Sequence, residues 1–399
     1  MVDRIDIHDF RGRLEKCERR LHNPISDRNR ELIGAFEKKL FSEGLSAARV
    51  EKYLDKLKII AERLGKDLDE VRREDLEGFI YCLERSDYSP FTKKDFKLVL
   101  KRFYRWLKGG DEVYPEEVAW IKTTLKARDE VLPEDLLTEE EVMKLVNSCD
   151  SIRDKAFIIT LYESGARVGE LGGMRVRDVV FGERYAKVML KGKTGSRSVI
   201  VIAAMPYLQN WIQNHPLKGD PDAPLWVNLG NVNRYKPMSY PALAKMLKAA
   251  GKRAGLKKKV HPHKLRHSRA TFLASKLTEA QMSQVFGWRQ GSKMPSIYVH
   301  LSGRDVEDAM LGVYGLKKAE GEEPKIRPKI CPRCSTVNEF DAKFCKKCGL
   351  ALDIKAAEKM EKIDKTVDAL MKLLTEDEEV KEMLERKLKE KESSWKTGG

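Results

Sequence analysis

The stretch His261–His300, HPHKLRHSRATFLASKLTEAQMSQVFGWRQGSKMPSIYVH, decides how the chain reads. His263 stands three residues before Arg266, and Tyr298 follows Trp288 by ten. Thr278 and Gln281 have the spacing of a capping box, so a helix is predicted to start there, and Gly287 supplies a left-handed stop just past its end. Trp288 is therefore expected at a fixed helix exit rather than in a loop. Pro295 suits the first turn of a further short helix that carries Tyr298. The stretch thus offers two phosphate-compatible groups, an indole and a phenol on separate rigid elements.

Upstream, a helix predicted over Ile152–Glu163 leads into Gly165-Ala166-Arg167-Val168-Gly169-Glu170-Leu171. The glycine turns the chain, which puts Arg167 at the start of the next helix, close to oriented backbone N–H groups. Three strands are expected next, at Asp178–Phe181, Arg184–Leu190 and Ser196–Ile202. The last two are joined by a Gly-bearing hairpin loop, Lys191-Gly192-Lys193-Thr194-Gly195.

Before this region the sequence reads as helices. Residues 1–25 show no usable pattern, and a series of four helices begins at Asp27. The fourth, Thr92–Lys108, buries Phe96, Val99, Leu100, Phe103 and Leu107. It carries a second row, Lys94, Lys97, Lys101, Arg105 and Lys108, at helical spacing. A like-charged row costs stability unless a partner neutralises it, and a DNA backbone is the natural partner.

Length and charge agree with this. A chain of 399 residues suggests two or three domains. No run approaches the ~20 apolar residues of a membrane span, and the N-terminus lacks the apolar core of a signal peptide. A cytoplasmic, nucleoid-associated protein is expected. The net charge of +15 is unevenly spread: residues 353–392 hold 10 basic and 13 acidic residues, which leaves the rest at +18. A body that basic suits a polyphosphate partner.

The grouping of HxxR, Gly-Trp and tyrosine in this order, with GxRxxEL upstream, resembles the tyrosine recombinases, the family of phage integrases and Xer-type resolvases. The four helices with their basic row look like the core-binding domain that precedes the catalytic domain in that family. The resemblance covers roughly residues 27–316. It implies that Arg167 and Arg266 clamp a scissile phosphate of double-stranded DNA and that Tyr298 attacks to give a 3′-phosphotyrosyl link. Lys193 on the hairpin, with Lys191 as the alternative, would protonate the departing 5′ oxygen. His263 and Trp288 would support the phosphate or the nucleophile, and Glu170 would orient the first arginine. Trp288 stands where many members carry His; it can donate a hydrogen bond but cannot exchange a proton. The resemblance further implies a homo-oligomer on DNA, a tetrameric synapse, and no metal or ATP in the chemical step. A type IB topoisomerase or a non-catalytic zinc-ribbon regulator remain alternatives.

Two CxxC pairs, Cys331/Cys334 and Cys345/Cys348, lie ten residues apart beyond a charged linker. Each presents two thiolates to one tetrahedral ion, so one structural Zn²⁺ is expected. In the helix that follows, Met360, Ile363, Val367, Leu370 and Leu374 keep the 3-4 spacing of a coiled coil, and Val380, Leu384 and Leu388 resume it loosely. A lone surface helix and an oligomer seam both fit. Lys343, Lys346 and Lys347 are candidates for extra DNA contact.

The fold expected is mainly α with a small antiparallel β-sheet. The domains are an N-terminal extension (1–26), a helical core-binding domain (27–110), a linker (111–133) and an α+β catalytic domain (134–316). A second linker (317–328), a zinc ribbon (329–352) and a charged helix (353–395) complete the chain.

Overall fold

The computed structural model describes residues 5–21, 25–109, 113–124, 135–192, 195–289, 291–292, 294–301, 324–376, 378–383 and 386–387. The chain divides into two compact units, Asp6–Pro133 and a second formed by Met1–Ile5 with Glu134–Gly399. No helix among the described residues is long and apolar enough to cross a membrane.

The first unit is a bundle of α1 (Phe10–Arg20), α2 (Asp27–Ser42), α3 (Ala47–Leu64), α4 (Arg73–Arg85), α5 (Pro90–Leu107) and the short α6 (Glu116–Ala119). Each long helix gives one apolar stripe to a common core, where Phe36 of α2 meets Phe103 of α5 edge-on at 5.3 Å. The boundaries are wider than the sequence suggested. Leu14 and Cys17 of α1, and Val118 and Ile121 beyond α5, all belong to this core. The 1–26 and 111–133 segments are therefore partly built into the bundle. Helix α1 escaped notice because only those two buried residues mark its face, in an otherwise polar sequence.

In the second unit α7 (Glu139–Asn147) starts at a capping box of Thr138 and Glu141. Helix α8 (Ile152–Ser164) is buried from Ala156 to Ser164, with no polar face in that stretch, and forms the unit's axis. It ends at Gly165, whose φ of 58° only glycine adopts freely. After α9 (Val168–Gly172) comes an antiparallel sheet in the order β1 (Val179–Phe181), β2 (Ala186–Gly192), β3 (Gly195–Val201). Ala186, Val188 and Leu190 alternate inward and face Val201, Val199 and Arg197 across the ladder. The strands run further into the hairpin than expected, with Gly192 paired to Gly195. Helices α10 (Met205–Gln213), α11 (Tyr240–Arg253), α12 (Pro262–Ala274), α13 (Glu279–Phe286) and α14 (Met294–Leu301) follow. Helix α13 has the expected caps at both ends, Thr278 with Gln281 and Gly287 at φ 62°.

The four-cysteine segment is not a detached module. Its strands β4 (Lys329–Ile330) and β5 (Val337–Asn338) pair antiparallel. The turn after β5 then docks on α8 and α10. Asp341 accepts hydrogen bonds from Lys155 at 2.9 Å and from the Tyr207 hydroxyl, and Glu339 accepts from Asn210 at 3.0 Å. Phe340 packs on the Tyr207 ring, and Lys346 donates to Gln209 at 2.9 Å. Lys346 is exposed, and its bond to Gln209 adds to this docking. The last described helix is α15 (Ile354–Glu376).

Because Leu14 fills the bundle core, Leu14→Ala should cost about 2–5 kcal/mol in urea unfolding of the first unit. A loss below about 0.5 kcal/mol, the usual scale for a surface change, would mean that α1 is only a loose extension.

Candidate active site

Arg266 comes from the second turn of α12, and α12 is anchored on both flanks. It is 7% exposed, and its two terminal nitrogens donate to the carbonyls of Gly165 (2.5 Å) and Phe286 (2.8 Å). Those carbonyls close α8 and α13, so the guanidinium ties the turn before Arg167 to the exit before Trp288. It also lies over the rings of Phe286 and Trp288, at 5.1 and 5.8 Å from their centroids. Burial and then the nearby Arg167 charge lower its pKa to about 10, so it stays charged at neutral pH. Gly165 has no alternative here, since a Cβ would lie 2.3 Å from the Phe286 ring.

Arg167 is the N-cap of α9, and Glu170 closes the box by accepting its backbone N–H and its guanidinium, both at 3.0 Å. With only five residues, α9 adds little helix dipole, so the arginine side chain itself supplies the charge. Glu170 is 2% exposed, and its other principal partner is Arg197 of β3 at 2.8 Å. Burial alone would raise the Glu170 carboxyl. The Arg197 hydrogen bond and charge, with help from Arg167, outweigh it and hold the carboxyl at about 2. Glycine at 192 leaves room for this carboxylate, because a Cβ there would approach Glu170 Oε1 to 2.4 Å. Arg197 also donates to Val285 O at 2.9 Å and passes beneath Gly287.

Tyr298, from α14, is 3% exposed. Its ring lies parallel to Trp288 (centroids 5.4 Å apart, 3° between planes), and Trp288 stacks in turn on Phe286 at 4.9 Å. Its hydroxyl pairs with Nδ1 of His267. Burial and then the neighbouring His263 lower the His267 pKa, while burial raises the phenol, so both are neutral at pH 7 and the tautomer of His267 decides which of the two donates. His263 lies one turn before His267, with ring centroids 6.5 Å apart, and burial followed by the Arg266 and Arg167 charges lowers its pKa too.

The structure therefore gathers Arg167, Glu170, His263, Arg266, Trp288 and Tyr298. Trp288 presents its ring face to the tyrosine, so packing is its contact here. Lys193 lies outside the described residues. The alternative, Lys191, is on β2 and pairs with Asp178 at 3.1 Å. Two members were missed. His267 follows Arg266 directly and shares the His263 face by its i, i+4 spacing. Arg197 has the inward parity of Val199 and Val201, and a charged residue at an inward strand position was its signal.

The basic row on α5 is arranged differently from the sequence expectation. Lys97 pairs with Glu84 at 2.5 Å, and Lys108 with Glu117 at 3.4 Å. Lys101 donates to the carbonyls of Ala119 and Ile121, and Arg105 lies over the Tyr114 ring. Lys94 is the member without a partner among the described residues. Two of the five thus meet carboxylates inside the bundle, which weakens the argument from repulsion for an external anion.

Arg197→Ala would leave Glu170 buried with one cation fewer. It should cost about 3–5 kcal/mol in urea unfolding of the second unit, with partial recovery in Arg197→Lys. A carboxyl held lower in the fold than its ordinary 4.5 stabilises above pH 4.5 and loses this as the pH falls toward 2, so the deficit should shrink in acid. A deficit under about 1 kcal/mol at pH 7, the scale of an exposed pair, would contradict the buried pairing.

Residues 135–304 match the phage integrase family model. The chain is 28% identical over 256 residues to a tyrosine recombinase of Thermosipho africanus, covering 62% of this chain and 86% of that one. It is 30% identical over 191 residues to the tyrosine recombinase XerA of Pyrococcus furiosus, covering 46% and 65%. Among solved structures, XerH site-specific recombinase bound to a palindromic difH substrate superposes with a TM-score of 0.57 at 19% identity, over 76% of this chain and 89% of that one. A lambda integrase dimer bound to a COC′ core site gives 0.54 at 17% identity, over 69% and 78%. The mainly helical fold with its small antiparallel sheet is theirs. The arginines, histidine and tyrosine of these boxes are gathered in one site, and the region that holds them is similar to the tyrosine recombinases of the phage integrase family.

Proposed function

We propose that this chain cuts and rejoins double-stranded DNA at defined sites through a 3′-phosphotyrosyl intermediate formed on Tyr298. The observation that carries the reading is the cage around the phenol: a neutral imidazole bonded to its hydroxyl, beside a buried cationic arginine. Arg167 and Arg266 bind the non-bridging oxygens of the scissile phosphate and keep their charge at any working pH. Fixed donors of this kind stabilise negative charge where it develops. The phenol oxygen attacks phosphorus, its proton passes to His267 Nδ1, and the 5′ oxygen leaves with a proton from Lys193. His263 donates to the phosphate, and Glu170 with Arg197 holds Arg167 in place. Because Tyr298 is 3% exposed, its phenol must emerge when DNA binds. DNA is engaged by a homo-oligomer, as with the recombinases of similar fold that are bound to DNA.

The four thiols suit one structural Zn²⁺. The Sγ atoms of Cys331, Cys334, Cys345 and Cys348 all lie within 4.8 Å of one another, and the facing pairs are 3.6 and 3.5 Å apart. Sulfurs on a tetrahedral zinc at ~2.3 Å stand about 3.8 Å apart, so the cluster has nearly the required size. An ion there would fix the turn that presents Glu339 and Asp341 to α8 and α10, away from the chemistry.

Tyr298→Phe removes one oxygen and no cation, so the variant should bind a nicked suicide duplex like the parent yet form no covalent adduct. Persistence of the adduct would show a different nucleophile. Strand exchange between two sites, rather than relaxation of supercoils, is the expected product assay. Exhaustive chelation should strip one zinc per chain and make residues 324–352 protease-sensitive, while adduct formation by the parent continues. Loss of the adduct on chelation, restored by magnesium, would contradict the metal-free step.

A further inference from the structure

Helix α15 stands outside the site and outside the region shared with the family model. Of its residues only Ala356 is buried. Met360, Ile363, Val367, Leu370 and Leu374 form one face and are 44, 51, 47, 52 and 37% exposed. The polar side is provided for within the helix, as by Lys365 with Glu361 at 2.8 Å. Isolated helices owe most of their stability to packing of an apolar face, and a continuous apolar stripe in water marks an interaction surface.

We propose that this face is the seam of a parallel, two-stranded coiled coil between two copies of this chain. Counting Met360 as position a places Ile363 and Leu370 at d, and Val367 and Leu374 at a. The central combination, β-branched Val367 at a and Leu370 at d, favours two strands. Lys359 then occupies g and Asp364 occupies the e position five residues on. In a parallel, in-register pair each g residue faces that e residue of the other helix, so Lys359 of each copy meets Asp364 of the other, twice by symmetry. Neither side chain has an ion-pair partner in its own chain among the described residues. An antiparallel pair sets g against g and e against e, and leaves this complementarity unused. The second copy is thus the occupant for which the charges are arranged. The seam is under three heptads, so the pairing is reversible and depends on concentration.

The test is sedimentation equilibrium of the full chain without DNA at low salt, which makes it independent of the recombinase reading. The parent should show a monomer–dimer equilibrium. Lys359→Glu and Asp364→Lys should each weaken it about threefold or more, by putting like charges across the seam. An equimolar mixture of the two should recover the parent affinity, because each mixed pair restores two attractions. Val367→Glu combined with Leu370→Glu should be monomeric, with unchanged thermal unfolding of the second unit as proof of folding. A parent that stays monomeric at the highest concentration overturns the proposal. So does a mixture no tighter than its components, or self-association that survives the double glutamate variant.

Discussion

A buried guanidinium held by two helix ends, with no carboxylate paired to it among the described residues, is the constraint on which the second unit depends. Arg266 donates to the carbonyls that terminate α8 and α13. Both are orphan acceptors at the negative end of a helix, so each dipole stabilises the cation without cancelling its charge. The same two bonds fix the turn that carries Arg167 and the exit that carries Trp288. A carboxylate partner would have anchored the residue equally well but neutralised it.

The charge count of the site follows. Arg167, Arg197 and Arg266 bring three positive charges, Glu170 returns one, and the histidines are held neutral, which leaves an excess of two. Burial and then the Arg167 charge lower the Arg266 pKa, and an anion between the two arginines relieves that repulsion. Roles are divided accordingly. Arg197 takes up the buried carboxylate so that Arg167, 40% exposed, remains available to a ligand. The phenol is kept protonated and stacked under Trp288 until it is needed.

The legible parts of the sequence were those with local rules. Thr278 with Gln281 and Gly287 carry their structural meaning within four residues, and each stands as read. Arg167, His263, Arg266 and Tyr298 were found because resemblance supplied an order that spacing does not. What stayed hidden was set by distant partners. The α5 basic row looked unpaired because Glu84 and Glu117 are brought to it by other segments. Arg197 looked like an ordinary strand residue, since its reason is a carboxylate 27 positions away. The cysteine segment read as a separate module because nothing in its spacing announces Tyr207 and Lys155 as docking partners.

The central claim is that the phenol bonded to His267 is the atom that becomes joined to DNA. Its most direct test is tandem mass spectrometry of the adduct trapped on a nicked duplex, after nuclease trimming. The account requires a single 3′-linked nucleotide remnant on Tyr298, in the peptide that follows Gly287-Trp288. A remnant on any other residue, or a trapped complex that falls apart under denaturation with no remnant at all, would contradict it.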